Sequence, residues 1–164
     1  MSDKVFTLWM TGIPCSGKTT LAFGVKRLCD KIIVLGGDEQ RKGINSDLGF
    51  SNDDRMENAR RLAHISKFLN ANGISVIVST ISPSDEIRRS ANNIIGDYFK
   101  LCYINCEKSL CVERDVKGMY ASKSNFTGKD SPYEIPIYAD VVVNTSNKSI
   151  ESCIELICNY ITKL

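Results

Sequence analysis

Residues Gly12, Ile13, Pro14, Cys15, Ser16, Gly17, Lys18, Thr19 and Thr20 fit the pattern G-x-x-x-x-G-K-[ST], the spacing of a loop that cradles phosphate. Glycine-rich turns at a helix start let backbone N–H groups point at phosphate oxygens, and the helix dipole favours the negative charge. Lys18 is placed to reach the β and γ phosphates of a nucleoside triphosphate, and the Thr19 hydroxyl is placed to ligate Mg²⁺. An apolar run from Val5 to Met10 directly precedes the loop and reads as a buried strand. That is the context the motif requires, and it stands against the alternative of a chance match in a glycine-containing turn.

A second constellation is Gly36-Gly37-Asp38-Glu39-Gln40-Arg41. It follows another apolar run, so Asp38 and Arg41 fall at the carboxyl edge of a sheet, where ligands of open α/β folds bind. Asp38 suits holding Mg²⁺ through water or orienting an attacking hydroxyl, and Arg41 suits a second anion; a capped turn with a solvated arginine is the competing reading. Arg55 and Asn58 are three residues apart and share one face of a predicted helix, either as ligands or as a solvated surface. No N-K-x-D segment of the kind GTPases use to read their base is present. The seven cysteines include no C-x-x-C pair and are joined by only one histidine, His64, which favours small core residues with reduced thiols over a zinc site.

These residues need elements to hold them. Apolar, β-rich segments at Val5 to Met10, Ile32 to Leu35, Ile74 to Ser79, Lys100 to Asn105 and Val141 to Asn144 alternate with helical patterns. The alternation predicts an α/β fold with a mainly parallel, five-stranded sheet and helices on both faces. The first helix is predicted from near Gly17 to Cys29. The second follows Ser51, which forms a capping box with Asp54, and ends at Gly73, with Leu62, Ile65 and Leu69 as its buried stripe. A third is predicted with Ser82 as its cap, Pro83 at the first helical position and Asp85 at the third. The last carries a stripe of Ile150, Ile154, Ile157, Ile161 and Leu164. Between about residues 117 and 138 the periodicity disappears, and an aperiodic stretch of that length in a compact domain reads as a lid.

The 164 residues, 43% of them hydrophobic, suit one domain spanning 1–164 with a core of its own. A formal charge of +2, from 21 basic and 19 acidic residues, offers no electrostatic case for nucleic acid or a membrane surface. No apolar run approaches the roughly 20 residues of a membrane span, and no signal peptide is evident, so a cytoplasmic location is expected.

The segments WMTGIPCSGKTTLA, NSDLGFSNDDRMENARR, VIVSTISP, ERDVKGMY and FTGKDSPYE resemble, in order, the successive signatures of the adenylylsulfate kinase family. The resemblance implies a P-loop kinase that transfers the ATP γ-phosphoryl group, with Mg²⁺, to the ribose 3′-hydroxyl of adenosine 5′-phosphosulfate, and that forms a homodimer. It implies that Lys18 and Thr19 serve phosphate and Mg²⁺, and that Asp38 lies near the acceptor hydroxyl and the metal. Arg41, Arg55 and Asn58 match the residues that hold the phosphate and sulfate end of the acceptor, and Ile81 and Lys117 belong with them. Ser79 matches an active-site serine that some relatives phosphorylate. Phe50 and Phe126 match two aromatics that sandwich the acceptor base. Arg114 matches an arginine that lies on the ATP adenine, although from the residues alone an ion pair with Glu113 or Asp115 serves equally.

Two departures bear on the acceptor. Where the family carries D-G-D this chain has Gly36-Gly37-Asp38, and only "ASKSN" separates Tyr120 from Phe126, about half the family's length, with Lys123 as its sole basic residue. Fewer cations in that stretch suit a less charged acceptor end. Cytidine diphosphoramidate, which offers the same 3′-hydroxyl with a neutral amide, is therefore the alternative acceptor. A non-catalytic nucleotide-binding module is the alternative to an enzyme.

Overall fold

Strands β1 (Thr7–Thr11), β2 (Ile32–Gly36), β3 (Ser75–Ser79), β4 (Phe99–Asn105) and β5 (Val141–Asn144) join in one sheet of order β2-β3-β1-β4-β5. The computed structural model describes residues 4–29, 31–115, 118–122 and 131–164. Every strand pair is parallel, as expected when strands alternate with helices. Register fixes the working edge: Gly36 of β2 and Met10 of β1 both pair with Ser79 of β3. The ends of three strands therefore converge at the residues that follow them.

Side chains alternate across β1. Leu8 and Met10 face a core shared with α1 (Lys18–Leu28) and α7 (Ile150–Ile161), including Leu21, Val25, Ile154 and Ile157. Trp9 faces the opposite core with α3 (Asn52–Ala71) and α4 (Asp85–Ile95), including Leu62, Ala63, Ile87 and Ala91. Helices thus cover both faces, which is why the strands read as continuous apolar runs. Gly24 lets α1 approach α7 closely, because a Cβ there would overlap the Ile154 side chain.

Helix ends follow local chemistry with one correction. The Ser51 hydroxyl accepts from the Asp54 N–H at 3.1 Å while Asp54 Oδ2 accepts from the Ser51 N–H at 3.3 Å, the expected reciprocal box. Ser82 does not cap α4. That helix starts at Asp85, and Ser84 caps it by accepting from the Ile87 N–H at 3.3 Å. Ser82 is unsuited to the task because its backbone is left-handed (φ 42°) and its hydroxyl accepts from Trp9 Nε1 at 2.9 Å. In α7 the stripe holds for Ile154, Ile157 and Ile161, but Ile150 is half-exposed and faces the cavity described below.

Short helices α2 (Gly37–Gln40), α5 (Lys108–Glu113) and α6 (Met119–Ser122) and a 3-10 turn at Gly96–Tyr98 complete the described elements. Of the predicted lid, α6 forms one helical turn and residues 132–138 belong to no helix or strand. Lys117 and Phe126, both expected to bind the acceptor, lie outside the described residues. Among the described residues, no helix is long and apolar enough to cross a membrane.

Candidate active site

The loop after β1 is shaped by three backbone choices. A Cβ on Gly12 would stand 2.5 Å from the Ile104 carbonyl oxygen, so glycine permits the loop to press against β4. Gly17 adopts φ 101° immediately before α1, and Cys15 adopts φ 60° without being glycine. Outer contacts hold the loop in this form. Thr145 donates to the Ser16 carbonyl at 2.9 Å and Tyr120 donates to the Pro14 carbonyl at 3.0 Å.

Lys18 is buried, and its Nζ donates to the carbonyls of Gly12 and Ile13 at 2.9 and 2.8 Å. Burial pushes its pKa down to about 8, with Cys111 and Asp38 among the groups acting in the opposite direction. A polyphosphate beside this ammonium would favour its charged form. One residue on, Thr19 Oγ1 lies 3.1 Å from Ser79 Oγ.

A cavity of about 850 Å³ opens over this loop. Pro14, Cys15, Gly17, Lys18, Thr19 and Thr20 line it, together with Arg114. Gly12, Ile13 and Ser16 of the same loop are turned away from the cavity lining; Ser16 is buried and Ile13 packs against Cys106, Cys111 and Tyr120. Arg114 Nη2 donates to the Thr145 carbonyl at 2.9 Å, which fixes its guanidinium at the cavity wall.

The residues predicted to meet an acceptor line the same cavity: Asp38, Arg41, Phe50, Arg55, Asn58, Ser79 and Ile81. Phe50 is 52% exposed, so it is not a core residue, and the Arg41 guanidinium stands over its ring at 4.8 Å. Arg55 Nε donates to the Phe50 carbonyl at 2.9 Å. Burial lowers the pKa of both arginines; Asp38 and Asp54 oppose the shift at Arg41, whereas Arg41 adds to it at Arg55. Two cations brought this near each other make a receptive place for an anion. Asn58 is buried and its Oδ1 accepts from Asn45 Nδ2 at 2.9 Å, which orients its amide from behind.

Sequence reasoning missed Thr80, Asp115, Thr145 and Lys148, which also line the cavity. Thr145 directly follows β5, so the rule that ligands sit beyond strand carboxyl ends had the power to find it. Lys148 carries no comparable signal. For a metal, Thr19, Ser79 and Asp38 offer only oxygen, the donor set of a hard cation. Among the described residues no group of three or more His, Cys, Asp or Glu is placed to hold an ion. A set with one carboxylate and two hydroxyls suits Mg²⁺, which commonly takes one or two carboxylates and completes its shell with substrate phosphates and water.

Comparison with known proteins agrees with this geometry. The family described as adenylylsulphate kinase matches residues 4–144. The adenylyl-sulfate kinase of Bacteroides thetaiotaomicron is 41% identical over 157 residues, covering 90% of this chain and 78% of its own. That of Paraburkholderia xenovorans is 38% identical over 157 residues, covering 90% and 88%. The structure of the Mycobacterium tuberculosis APS kinase CysC in complex with AMPPNP and APS superposes with a TM-score of 0.91 at 35% identity, covering 98% of this chain and 99% of that one.

Proposed function

The chain belongs to the adenylylsulphate kinase family, and on that premise we propose that it transfers the γ-phosphoryl group of ATP to the ribose 3′-hydroxyl of adenylyl sulfate. The observation that carries this reading is one cavity with a phosphate loop, Lys18 and Thr19 on one wall and Arg41, Phe50 and Arg55 on another. A donor polyphosphate and an anionic nucleotide acceptor are thereby brought together.

Phosphoryl transfer needs positioning and charge stabilisation more than covalent help from the protein. The loop N–H groups and Lys18 bind the β and γ phosphates. Thr19 and Asp38 would hold Mg²⁺, which supplies neutralisation of charge developing on the transferred group. Asp38 is the carboxylate suited to orient the 3′-hydroxyl and accept its proton as the oxygen attacks phosphorus, and ADP departs. Arg41 and Arg55 take the anionic end of the acceptor, and the Phe50 ring offers a stacking face to its base. Arg114 faces the donor nucleotide. A homodimer, as the resemblance implies, is part of the same proposal.

Two departures from the family pattern, Gly36 in place of aspartate and the short stretch between Tyr120 and Phe126 with Lys123 as its sole basic residue, motivate a second reading in which the acceptor is cytidine diphosphoramidate, whose end carries less charge. The discriminating experiment offers ATP and Mg²⁺ with each acceptor in parallel and detects the 3′-phosphorylated product by mass. Faster turnover of adenylyl sulfate supports the primary reading, and faster turnover of the cytidine compound selects the second. Product from neither leaves a non-catalytic nucleotide-binding module.

A further inference from the structure

The turn from Ile81 to Pro83 lines the cavity two residues beyond Ser79, and it holds a non-glycine residue in a conformation that side chains disfavour. Ser82 has φ 42° and is buried. A backbone of this kind persists only where surrounding contacts over-determine it, and such sites concentrate where function needs exact placement. Here four ties come from three parts of the chain, namely β1, α4 and residues 133–134. Trp9 Nε1 donates to the Ser82 hydroxyl at 2.9 Å, and Arg88 Nη1 donates to the Ser82 carbonyl at 2.9 Å. The Glu134 N–H donates to the Pro83 carbonyl at 2.8 Å, while Glu134 Oε2 accepts from the Asp85 N–H at 2.7 Å, tying the turn to α4.

The fourth tie has a direction that can be deduced. Thr11 Oγ1 lies 2.6 Å from the Ile81 carbonyl and 2.9 Å from the Tyr133 hydroxyl. A threonine hydroxyl carries one proton, and the carbonyl can only accept, so Thr11 donates to Ile81 and Tyr133 donates to Thr11. Burial pushes the Tyr133 pKa up to about 12, which keeps this donor protonated. The Tyr133 ring is held in turn between Tyr103, whose ring centroid is 6.3 Å away at 18°, and the Arg88 guanidinium at 5.8 Å.

We propose that residues 81–83 form a strained ledge, clamped by Trp9, Thr11, Arg88, Tyr133 and Glu134, that sets where the acceptor nucleotide lies relative to Ser79 and the phosphate loop. Tyr133 and Arg88 are then positioning residues that touch neither substrate and act through Ile81 and Ser82. This rests on the acceptor site of the preceding subsection. Because residues 81–83 share no residue with the loop that holds the donor, loosening them is expected to act on the acceptor more than on ATP.

The test measures steady-state kinetics of the full-length chain with Tyr133→Phe, which removes one hydroxyl from a ring of unchanged shape, and with Thr11→Val, which removes both bonds of the relay. Both are expected to raise the KM for the acceptor, about 3- to 10-fold for Tyr133→Phe by the worth of a single hydrogen bond, and more for Thr11→Val. The KM for ATP should stay within about 2-fold, a split that general loss of packing does not produce. Equal rises in both KM values, or an unchanged acceptor KM in both variants, overturn the ledge. Wild-type turnover is read first in the same assay: product with either acceptor upholds a nucleotide acceptor site, and its absence with both removes that site and the ledge's purpose together.

Discussion

The hydroxyls of Thr19 and Ser79 lie 3.1 Å apart, so the first turn of α1 and the carboxyl end of β3 meet at a pair of oxygens beside Lys18. Ser79 is also paired in register with Gly36, two residues before Asp38. One contact therefore ties the phosphate loop to the edge that carries the acidic residue. Thr19→Ala is expected to raise the Mg²⁺ concentration for half-maximal turnover by about 10- to 100-fold, the usual range for losing support of a metal. Ser79→Ala should act in the same direction but less, and the double variant should fall short of the product of the two because they share an interaction. Mg²⁺ titration of turnover in the three variants checks this, and an unaltered Mg²⁺ dependence in Thr19→Ala refutes it.

Lys18 gives the enzyme an alkaline limit. Its folded-state pKa is about 8 against 10.5 when solvated, chiefly through burial, and the charged form is what polyphosphate binding needs. In the free enzyme that form is lost as pH rises through about 8, so kcat/KM for ATP should decline there, toward tenfold per pH unit. The limit on kcat should lie at higher pH, because bound phosphates favour the ammonium. Lys18→Arg should remove the limb, since guanidinium stays charged, while lowering turnover. The same shift bears on folding: between about 8 and 10.5 the unfolded chain binds more protons, so stability rises with pH across that window. A pH profile of kcat/KM that stays flat across that window contradicts the assignment.

What the sequence made legible was whatever local rules decide. The phosphate loop, the alternation of strands and helices, and the Ser51 box each depend on neighbours in the chain, and the structure has them where the patterns put them. The start of α4 was misread because Ser82-Pro83-Ser84 offers two caps, and the choice is made by Trp9, 73 residues away, whose indole N–H takes the Ser82 hydroxyl. That Phe50 faces the cavity with Arg41 over its ring, rather than packing in the core, is decided by tertiary structure. Thr145 was within reach of the strand-end rule once β5 was assigned, whereas Lys148 reaches the cavity through the parallel placement of β5 beside β4, a tertiary fact with no local signature.

Cys15 should be the thiol through which the enzyme is inactivated. It is half-buried on the cavity wall within the phosphate loop, whereas Cys29, Cys102, Cys106, Cys111 and Cys153 are buried. Cys158 is also half-buried, but it is not among the residues that line the cavity, and burial pushes its thiol up to about 11, where little thiolate forms at neutral pH. N-ethylmaleimide is expected to block turnover by modifying Cys15, and Mg²⁺ with ATP to slow that reaction by covering the loop. Cys15→Gly suits the left-handed backbone at this position (φ 60°) and should resist inactivation. Peptide mass mapping identifies the modified residue, and loss of activity in Cys15→Gly at the wild-type rate would count against the assignment.

Gly36 is open to a direct test because nothing in the backbone demands glycine there. It adopts φ −86° and ψ 126°, an extended conformation any residue takes, and a Cβ would meet only the Glu39 Cβ at 3.5 Å and its Oε2 at 3.7 Å, ordinary contact distances. Gly36→Asp should therefore fold, with a stability change within about 0.5 kcal/mol as for a substitution free of clashes. The new carboxylate would join Asp38 and Glu39 at the strand edge, strengthening the grip on a hard cation and repelling an anionic acceptor. The Mg²⁺ concentration for half-maximal turnover should fall while the KM for the acceptor rises. Movement of both quantities makes position 36 part of the charge balance that decides which acceptor is used. If neither moves, the glycine lies outside the chemistry, and its departure from the family pattern says nothing about substrate.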